Sequence, residues 1–465
     1  MKKAIVLTLL ATIFYTANAQ KVVKYYDEAK TQKSVEGQYS GDTKVGTWTY
    51  YHPNGKIYQT GSFDNSGEKI GVWKVYYEDG SECAVENYEN GVSRSWYQGG
   101  KLKSEVNVTD GKKNGLYKSW YENGRQREEI TFVEGIKDGA TKEWHANGKL
   151  KFEGEYKDNE LNCYAVWYTE LGKKDMEGKI VDGNQEGEWI FYYRDNGGIG
   201  IRGNYVNGSE TGLWTYYYET GEKWRAGNYV DGVRQGLWTT WYENGKKLHE
   251  GKYADGLEEG KWTAWHTNGK VDYEGSFEKG LKTGEWHAYN DNGKPRYIIN
   301  YRKDKKNGKE VRYFNNGNIM SECNYADDVQ DGTWKKYNTS GKLEEEGSFD
   351  NGLKEGKWTY YTEMGSIARE QTFKNGKADG SWVEYHRNGK KSMVGEYAIV
   401  NDNSVRVGTW HYYDQYGEET MTMTFEGGSM VSKEVKKKAT PQEQQKRLNC
   451  LFRQFKRLHS IGKDF

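Results

Sequence analysis

Three glycines, Gly198, Gly200 and Gly203, have the G-x-G-x-x-G spacing with which many proteins bind the phosphates of a dinucleotide. That chemistry needs a parallel strand before the motif and a helix after it, because the helix N-terminus must point at the phosphates. The local sequence predicts a hairpin turn instead, and Gly203 recurs at the same position in neighbouring segments. We therefore interpret these glycines as structural and expect no cofactor.

Histidines are the most common side chains that bind metals or transfer protons near neutral pH. Four of the eight in this chain, His52, His145, His266 and His386, occupy one position of a repeated pattern. If each repeat adds two strands, it advances by roughly 10 Å, so these histidines lie tens of ångströms apart and cannot share a metal. We interpret them as edge residues that pack among tyrosines.

The remaining candidate groups do not form a recognisable catalytic or metal site. Asp327, Asp328 and Asp331 match neither an EF-hand loop nor a calcium β-roll, and we interpret them as solvated turn residues. The sequence contains no nucleophile elbow, HExxH motif or P-loop. We predict no catalytic residues, no bound metal and no enzymatic activity.

The elements that position these residues follow a 24-residue repeat. Of the fifteen intervals between successive turn glycines, eleven are 24 residues and two are 25, whereas one is 20 and the last is 28. Self-similarity of this kind indicates a repeat architecture in which each unit contacts mainly its neighbours. The turn glycines are Gly55, Gly80, Gly100, Gly124, Gly148, Gly172, Gly197, Gly221, Gly245, Gly269, Gly293, Gly317, Gly341, Gly365, Gly389 and Gly417.

Each repeat predicts two antiparallel strands. In the clearest copy an aromatic-rich strand spans 260–266, the turn Thr267-Asn268-Gly269-Lys270 supplies positive φ, and a return strand spans 271–277. Proline is nearly absent, with 3 residues, and aromatic residues make up 15% of the chain. Aromatic side chains bury large areas, so they can stabilise a thin sheet that has few aliphatic residues.

Aromatic residues recur in three columns. Eleven copies have a tryptophan seven residues before the turn glycine, or eight in the case of Trp189, and an aromatic residue stands four residues before the glycine in all sixteen. A third column, which includes Phe63 and Phe277, lies in the return strand. The offset of three residues between the first two columns predicts either aromatic residues on both faces or a bulge near Gly260 that aligns them. A glycine two residues before the third column, such as Gly275, is expected to leave room for a ring of the neighbouring strand.

The pattern G-x-W-x-x-[YW]-[YH]-x-x-N-G-K, followed by G-x-[YF], resembles the MORN repeat variant found in proteins grouped as the YwqK family of antitoxins. The resemblance covers about residues 37–426. It implies an elongated, twisted, solenoid-like ribbon of about sixteen antiparallel β-hairpins of 24 residues each, an all-β fold. It also implies a role in protein binding, as a scaffold, or at a membrane, and it leaves open an immunity role in the cell envelope.

Residues outside the repeat have their own signals. Residues 1–19 have a basic start, an apolar stretch and Ala17-Asn18-Ala19, which predicts a signal peptide cleaved near Ala19-Gln20 and therefore an exported protein. The repeat array is predicted over 20–430. The tail, 431–465, is basic: residues 433–465 carry ten Lys or Arg and three Asp or Glu, in a chain whose formal net charge is zero.

Thr440-Pro441-Gln442-Glu443 is a strong helix start and predicts an amphipathic helix over about 441–459. The helix either covers the open edge of the last hairpin or binds a partner or anionic lipid.

In an exported chain the four cysteines suggest disulfides, but the predicted spacing of about 30 Å between Cys83 and Cys163 exceeds the reach of a bond. We predict free thiols.

These features favour an exported scaffold that binds proteins. A glycan-binding surface protein and a membrane-associated scaffold are the alternatives, and the near-zero net charge argues against nucleic acid. The stretch 83–172 is the least regular, since the tryptophan column there reads Ser93, Tyr117, Thr141 and Ala165. The candidate binding residues come from this stretch and the tail, and they are Trp96, Trp120, Trp144, Arg447, Arg453, Lys456 and Arg457.

Overall fold

A computed structural model describes residues 19–436, together with Gln445 and Asn449. The described residues form 37 β-strands. Contacts group the chain into two compact units, Met1–Val233 and Arg234–Phe465. Within each unit, strands that are consecutive in the sequence pair antiparallel. The predicted all-β fold of antiparallel hairpins is therefore confirmed.

The strands are β1 Gln20–Tyr25, β2 Lys33–Ser40, β3 Thr43–Tyr51, β4 Ile57–Phe63, β5 Lys69–Tyr76, β6 Glu82–Asn87, β7 Gly91–Trp96, β8 Leu102–Thr109, β9 Lys112–Lys113, β10 Gly115–Trp120, β11 Gln126–Val133, β12 Ile136–Trp144, β13 Leu150–Lys157, β14 Glu160–Leu161, β15 Cys163–Tyr168, β16 Lys174–Val181, β17 Asn184–Tyr192, β18 Ile199–Val206, β19 Ser209–Tyr217, β20 Lys223–Val230, β21 Val233–Trp241, β22 Lys247–Ala254, β23 Leu257–Trp265, β24 Val271–Glu278, β25 Leu281–Tyr289, β26 Pro295–Arg302, β27 Lys305–Tyr313, β28 Ile319–Ala326, β29 Val329–Tyr337, β30 Leu343–Asp350, β31 Leu353–Tyr361, β32 Ile367–Lys374, β33 Lys377–Tyr385, β34 Lys391–Val400, β35 Asn403–Tyr413, β36 Glu419–Glu426 and β37 Ser429–Val435.

Two predictions fall mostly outside the described residues. The signal peptide lies there except for Ala19, and β1 begins at Gln20, the residue after the predicted cleavage point. Of the helix predicted over 441–459, only Gln445 and Asn449 are described, and both are helical and exposed. Cys83, Cys163 and Cys323 are free, as predicted, whereas Cys450 lies outside the described part.

Each regular repeat contains a bulge at its glycine. Between β22 and β23 the register shifts at Glu250/Lys252, so that Gly251 faces a gap in the ladder. On the opposing strand Gly260 has a φ of 66°, a left-handed conformation that favours glycine. The indole of Trp262 fills this gap: a Cβ on Gly251 would lie 2.0 Å from the ring. Its Nε1–H donates to the carbonyl oxygen of Lys252 at 3.2 Å.

The same arrangement recurs through both units. Among the described residues, a Cβ would lie 2.0–2.3 Å from the following tryptophan at glycines that include Gly37, Gly61, Gly178, Gly203, Gly251, Gly275, Gly347 and Gly395. Where the glycine is replaced, the tryptophan no longer lies flat on the strand. Trp334 and Trp382 follow Cys323 and Gln371, are only partly buried, and donate to glutamate side chains instead. The predicted space beside the third column is therefore occupied by an indole of the next strand.

Third-column rings connect successive tryptophans into a ladder. Tyr253 meets Trp262 edge-on at 5.3 Å, Trp262 meets Phe277 at 5.8 Å, and Phe277 meets Trp286 at 5.0 Å between ring centroids. Edge-to-face pairs at these distances contribute about 0.5–1.5 kcal/mol each beyond the area they bury. In several repeats a lysine covers the outer side of the indole, as Lys354 does over Trp358 at 3.7 Å.

The second aromatic column lies on the opposite face. Tyr361 donates its hydroxyl to Glu346 at 2.6 Å, and Glu346 pairs with Thr359, the neighbour of Trp358. Because adjacent strand residues point to opposite faces, Trp358 and Tyr361 lie on different sides of the sheet. Aromatic residues therefore occupy both faces, and the bulge serves to place the indole over the glycine.

Substitution of Gly251 by alanine is expected to destabilise the second unit by about 1–3 kcal/mol, because the new Cβ overlaps the Trp262 ring and must displace it. Gly99→Ala is the matched control, since Gly99 has no neighbouring atom within 4 Å of an added Cβ and its φ is not positive. The measurement is urea unfolding of each variant. Equal midpoints for Gly251→Ala and Gly99→Ala would show that the indole is not held against the glycine.

Candidate functional site

In the copies that have it, the turn motif Asn-Gly-Lys connects one hairpin to the next. The amide of Asn268 donates to the carbonyl oxygen of Asp291 at 2.7 Å, and Lys270 Nζ donates to that of Asn292 at 2.8 Å. His266 Nε2 donates to the carbonyl oxygen of Tyr289 at 3.0 Å, and the three other histidines of this column make the same bond. These residues satisfy backbone groups of the neighbouring turn, which explains their recurrence without a metal or catalytic role.

The other candidate groups also make contacts within the fold. The G-x-G-x-x-G glycines lead into and lie in β18, an antiparallel strand, and Gly203 lies under the indole of Trp214. Asp327 accepts a hydrogen bond from Arg302 at 3.0 Å, and Asp328 accepts one from the backbone of Lys306 at 2.8 Å. Among the described residues, no group of three or more His, Cys, Asp or Glu side chains is arranged to hold a metal ion.

The second-column tyrosines form hydrogen bonds with glutamates on the face opposite the tryptophans. Tyr51 donates to Glu36 at 2.5 Å, and Tyr168, Tyr361 and Tyr385 make equivalent bonds. Burial and the bond to Glu36 raise the pKa of Tyr51 to about 12, and the other three have pKa values of about 12 for the same reasons. The Tyr51 hydroxyl in turn lowers the pKa of Glu36.

The irregular stretch contains a pocket where a tryptophan is missing. Ser93 stands seven residues before Gly100, the position that Trp48 holds before Gly55. The hairpin is also short, since β6 and β7 have six residues each and pair at only two positions. A cavity of about 340 Å³ results, which we call the Ser93 pocket, and it is lined by Ala84, Val85, Glu86, Asn87, Tyr88, Ser93, Arg94, Ser95, Ser104, Val106, Val108, Gly111, Lys113 and Tyr117.

Two other departures from the tryptophan column are filled. Ala165 is fully buried because Phe152 turns back over Gly154, and Trp167 packs on Phe152 at 5.0 Å. Tyr117 supplies a ring of its own, which meets Phe132 at 6.1 Å. In the described chain, the first run of ring contacts ends at Tyr88 and the next begins at Tyr117, on either side of the Ser93 pocket.

Polar groups lie beside apolar ones in the Ser93 pocket. Glu86 accepts a hydrogen bond from the Tyr88 hydroxyl at 2.8 Å, and Lys69 Nζ is 3.8 Å from the same carboxylate oxygen. Burial raises the pKa of Tyr88, so this hydroxyl remains a donor at neutral pH. Val106 and Val108 are 5% and 6% exposed and form the apolar part. The pocket can therefore hold a flat apolar group that carries a hydrogen-bond donor.

A second recess, of about 200 Å³, has mostly aromatic walls. It is lined by Phe191, Tyr192, Tyr193, Gly200, Ile201, Tyr216, Tyr217 and Trp224. Trp224 is 39% exposed, and the Arg225 guanidinium lies between it and Tyr216, 4.7 and 4.0 Å from the two ring centroids. Sequence reasoning did not single out this recess, although Trp224 stands in the sequence where most copies have a small or polar residue.

The predicted binding residues lie elsewhere. Trp96, Trp120 and Trp144 are half-buried members of the second column, and their carbonyl oxygens accept bonds from Tyr77, Tyr97 and Tyr121 respectively. None of the three tryptophans lines the Ser93 pocket. Arg447, Arg453, Lys456 and Arg457 lie outside the described residues. The irregularity at Ser93 was visible in the sequence, but the cavity it leaves was not predicted.

Comparison with known proteins adds a family match. The family model described as "MORN repeat variant" matches residues 44–65, 89–110, 113–134, 137–158, 210–231, 234–255, 258–279, 282–303, 306–327, 330–351 and 354–375. No match was found among curated proteins. The part of the chain that the structure describes contains no helix long and apolar enough to span a membrane.

Among solved structures, the chain is similar to the crystal structure of TcdB2-TccC3-Cdc42, with 11% identity over 89% of this chain and a TM-score of 0.14. It is also similar to the Tc holotoxin pore of Photorhabdus luminescens, with 12% identity over 87% of this chain and a TM-score of 0.13. The chain spans 28% of the length of each. Similarity at this level carries no conclusion about fold or function.

The shifted tyrosines predict a loss of stability at alkaline pH. A pKa that is raised in the folded state means that folding favours the protonated hydroxyl. The resulting contribution to the free energy of unfolding is complete below the unfolded pKa of about 10 and is lost as the pH rises to about 12. Urea unfolding between pH 7 and 12 measures it. The free energy of unfolding of the combined variant Tyr51→Phe, Tyr168→Phe, Tyr361→Phe and Tyr385→Phe is expected to fall less steeply above pH 10 than that of wild type.

Tyr58→Phe is the control, because Tyr58 is exposed. Its free energy of unfolding should fall with pH as that of wild type does. An equally steep decline in the combined variant would show that the tyrosine–glutamate bonds do not determine the alkaline limit.

Proposed function

Because the chain belongs to the family of MORN repeat variants, whose repeats are generally modules that bind proteins or membranes, we propose that it is a non-enzymatic scaffold that binds a protein partner in the cell envelope or outside the cell. The observation that carries this proposal is the Ser93 pocket, a cavity at a place where the aromatic ladder is interrupted. A rigid sheet with a local cavity binds at low conformational cost, because little of it must become ordered on binding.

Two features support export. The sequence of residues 1–19 has the three regions of a cleavable signal peptide. The first strand starts at Gln20 and pairs with β2, so the fold uses the chain from the predicted cleavage point onward. An immunity role, in which the partner is a toxin that acts in the envelope, is one form of the proposed function.

A glycan-binding role is the second candidate, and the aromatic recess at Trp224 favours it. Sugar rings stack on exposed aromatic side chains, and this recess offers Trp224 beside several tyrosines. Under this alternative, Trp224→Ala abolishes glycan binding and leaves protein binding unchanged. Membrane association through the basic tail, 431–465, is the third candidate.

Binding assays with the mature chain, 20–465, are expected to separate these candidates. We expect a protein from the envelope fraction to be captured, to bind again after purification, and to bind equally well after deletion of 440–465. Anionic liposomes and a glycan array are tested in parallel with the same protein. Binding only to liposomes, lost on deletion of 440–465, would replace the protein-binding proposal by the membrane one, and binding only to glycans would replace it by the second candidate.

Export predicts a defined mature N-terminus. Mass spectrometry of the protein recovered from the envelope or medium is expected to show a chain that begins at Gln20. A chain that keeps residues 1–19 and remains in the cytoplasm would contradict the export proposal, whatever the binding assays show.

A further inference from the structure

We propose that the Ser93 pocket receives a tryptophan side chain of the partner protein, beside the position that the tryptophan holds in the regular repeats. This inference rests on the proposed protein-binding function and names the group that the pocket recognises. It follows from a comparison of the Ser93 repeat with a regular one, position by position.

The strand register identifies the equivalent residues. Trp48 pairs with Gly61 in the regular repeat, and Trp73 pairs with Glu86 in the next, so Glu86 stands where the glycine is expected. Ser93 stands in the tryptophan position that follows. Both members of the glycine–tryptophan pair are therefore replaced together, and the chain no longer supplies the ring.

The surroundings of the missing ring are retained. Tyr88 occupies the third-column position and meets Trp73 at 6.4 Å, and Tyr117 closes the other side. In regular repeats the indole donates to the carbonyl oxygen of the residue after the glycine, as Trp73 does to Ser62 at 3.1 Å. The equivalent residue is Asn87, which lines the pocket. Aromatic walls and hydrogen-bond acceptors are thus available for an indole.

The cation that covers the indole elsewhere is absent from this position. Lys44 lies 4.7 Å above Trp48 and Lys69 lies 4.3 Å above Trp73, each four residues before its tryptophan. Those lysines pair with the third-column residues Tyr39 and Phe63, and the hairpin after Tyr88 is too short to provide a residue at that position. No lysine of this repeat therefore covers the outer side of the pocket, which leaves room for a group from solution. The charged side chains that line the pocket are Glu86, Arg94 and Lys113.

The size of the pocket agrees with one large side chain. The pocket has a volume of about 340 Å³ with the Glu86 side chain in place, so a ring from a partner does not compete with Glu86 for space. A tryptophan at position 93 would compete with Glu86, because indoles at this position elsewhere lie against a glycine. Tryptophan is also among the residues that most often dominate the binding energy of interfaces when they enter such a pocket.

The test uses the mature chain and a fluorinated N-acetyltryptophanamide, whose 19F line width reports binding. We expect a dissociation constant on the order of 0.1–1 mM, as for a single side chain. The double variant Glu86→Gly with Ser93→Trp restores the regular pair and fills the pocket from within the chain. It is expected to weaken binding by about tenfold or more and to unfold at no lower a urea concentration than wild type.

Thr47→Trp is the matched control, because it adds a tryptophan at an exposed position on the opposite face, and it should bind the probe as wild type does. Ser104→Leu, which narrows the pocket from another strand, is the second variant and should also weaken binding. Absence of binding by wild type, binding that neither pocket variant weakens, or tighter binding of N-acetylargininamide than of the indole would overturn the proposal. If a purified partner binds wild type and the double variant equally, the scaffold function stands and the assignment of the pocket fails.

Discussion

The fold depends on the contact between an indole and a glycine on the preceding strand. A bulge removes one residue from the ladder, glycine leaves an uncovered stretch of backbone, and the tryptophan lies flat on it and donates its N–H to the next carbonyl oxygen. One side chain thus fills the space, satisfies a polar group and fixes the register of two strands. Any Cβ at the glycine prevents all three, because it would lie well inside the contact distance of the ring.

This contact explains how a thin sheet with few aliphatic residues is stable. Each indole that lies on a glycine is nearly inaccessible to solvent within a single sheet of the described chain, as with Trp73 at 0% and Trp358 at 0% exposure. Third-column rings and lysines supply the cover, and the rings connect each repeat to the next. On the opposite face, tyrosine–glutamate hydrogen bonds connect neighbouring strands through polar groups. We expect the array to bind its partner at a place where aromatic side chains leave this space unfilled.

Three of the departures from the tryptophan column illustrate how loss of one ring has different outcomes. At Ala165 the neighbouring Phe152 moves into the space, and at Tyr117 a different ring takes it. At Ser93 the hairpin is short, and Ala84, Ser95 and Ser104 beside it are small, so the space stays open. The composition of the surrounding strands, and not the lost tryptophan alone, decides whether a pocket forms.

The sequence alone determined the period, the positions of the turns, the strand order and the recurrence of glycine before the third column. These properties are local: Asn-Gly turns and alternating strands are encoded within a few residues, so the hairpin fold followed from the pattern. The family resemblance was visible for the same reason. The predicted binding tryptophans, Trp96, Trp120 and Trp144, were chosen for their place in the irregular stretch, and the structure places them outside the Ser93 pocket.

Only the tertiary structure decided which ring meets which glycine, which face each column occupies, and where the ladder is open. These outcomes depend on contacts between strands, such as that between Gly251 and Trp262, and on a bulge that shifts the register by an amount the period does not encode. The repeat determines which type of residue stands at each position. Whether the space at that position is full depends on the volumes of side chains from three strands at once, and that is a property of the packed sheet.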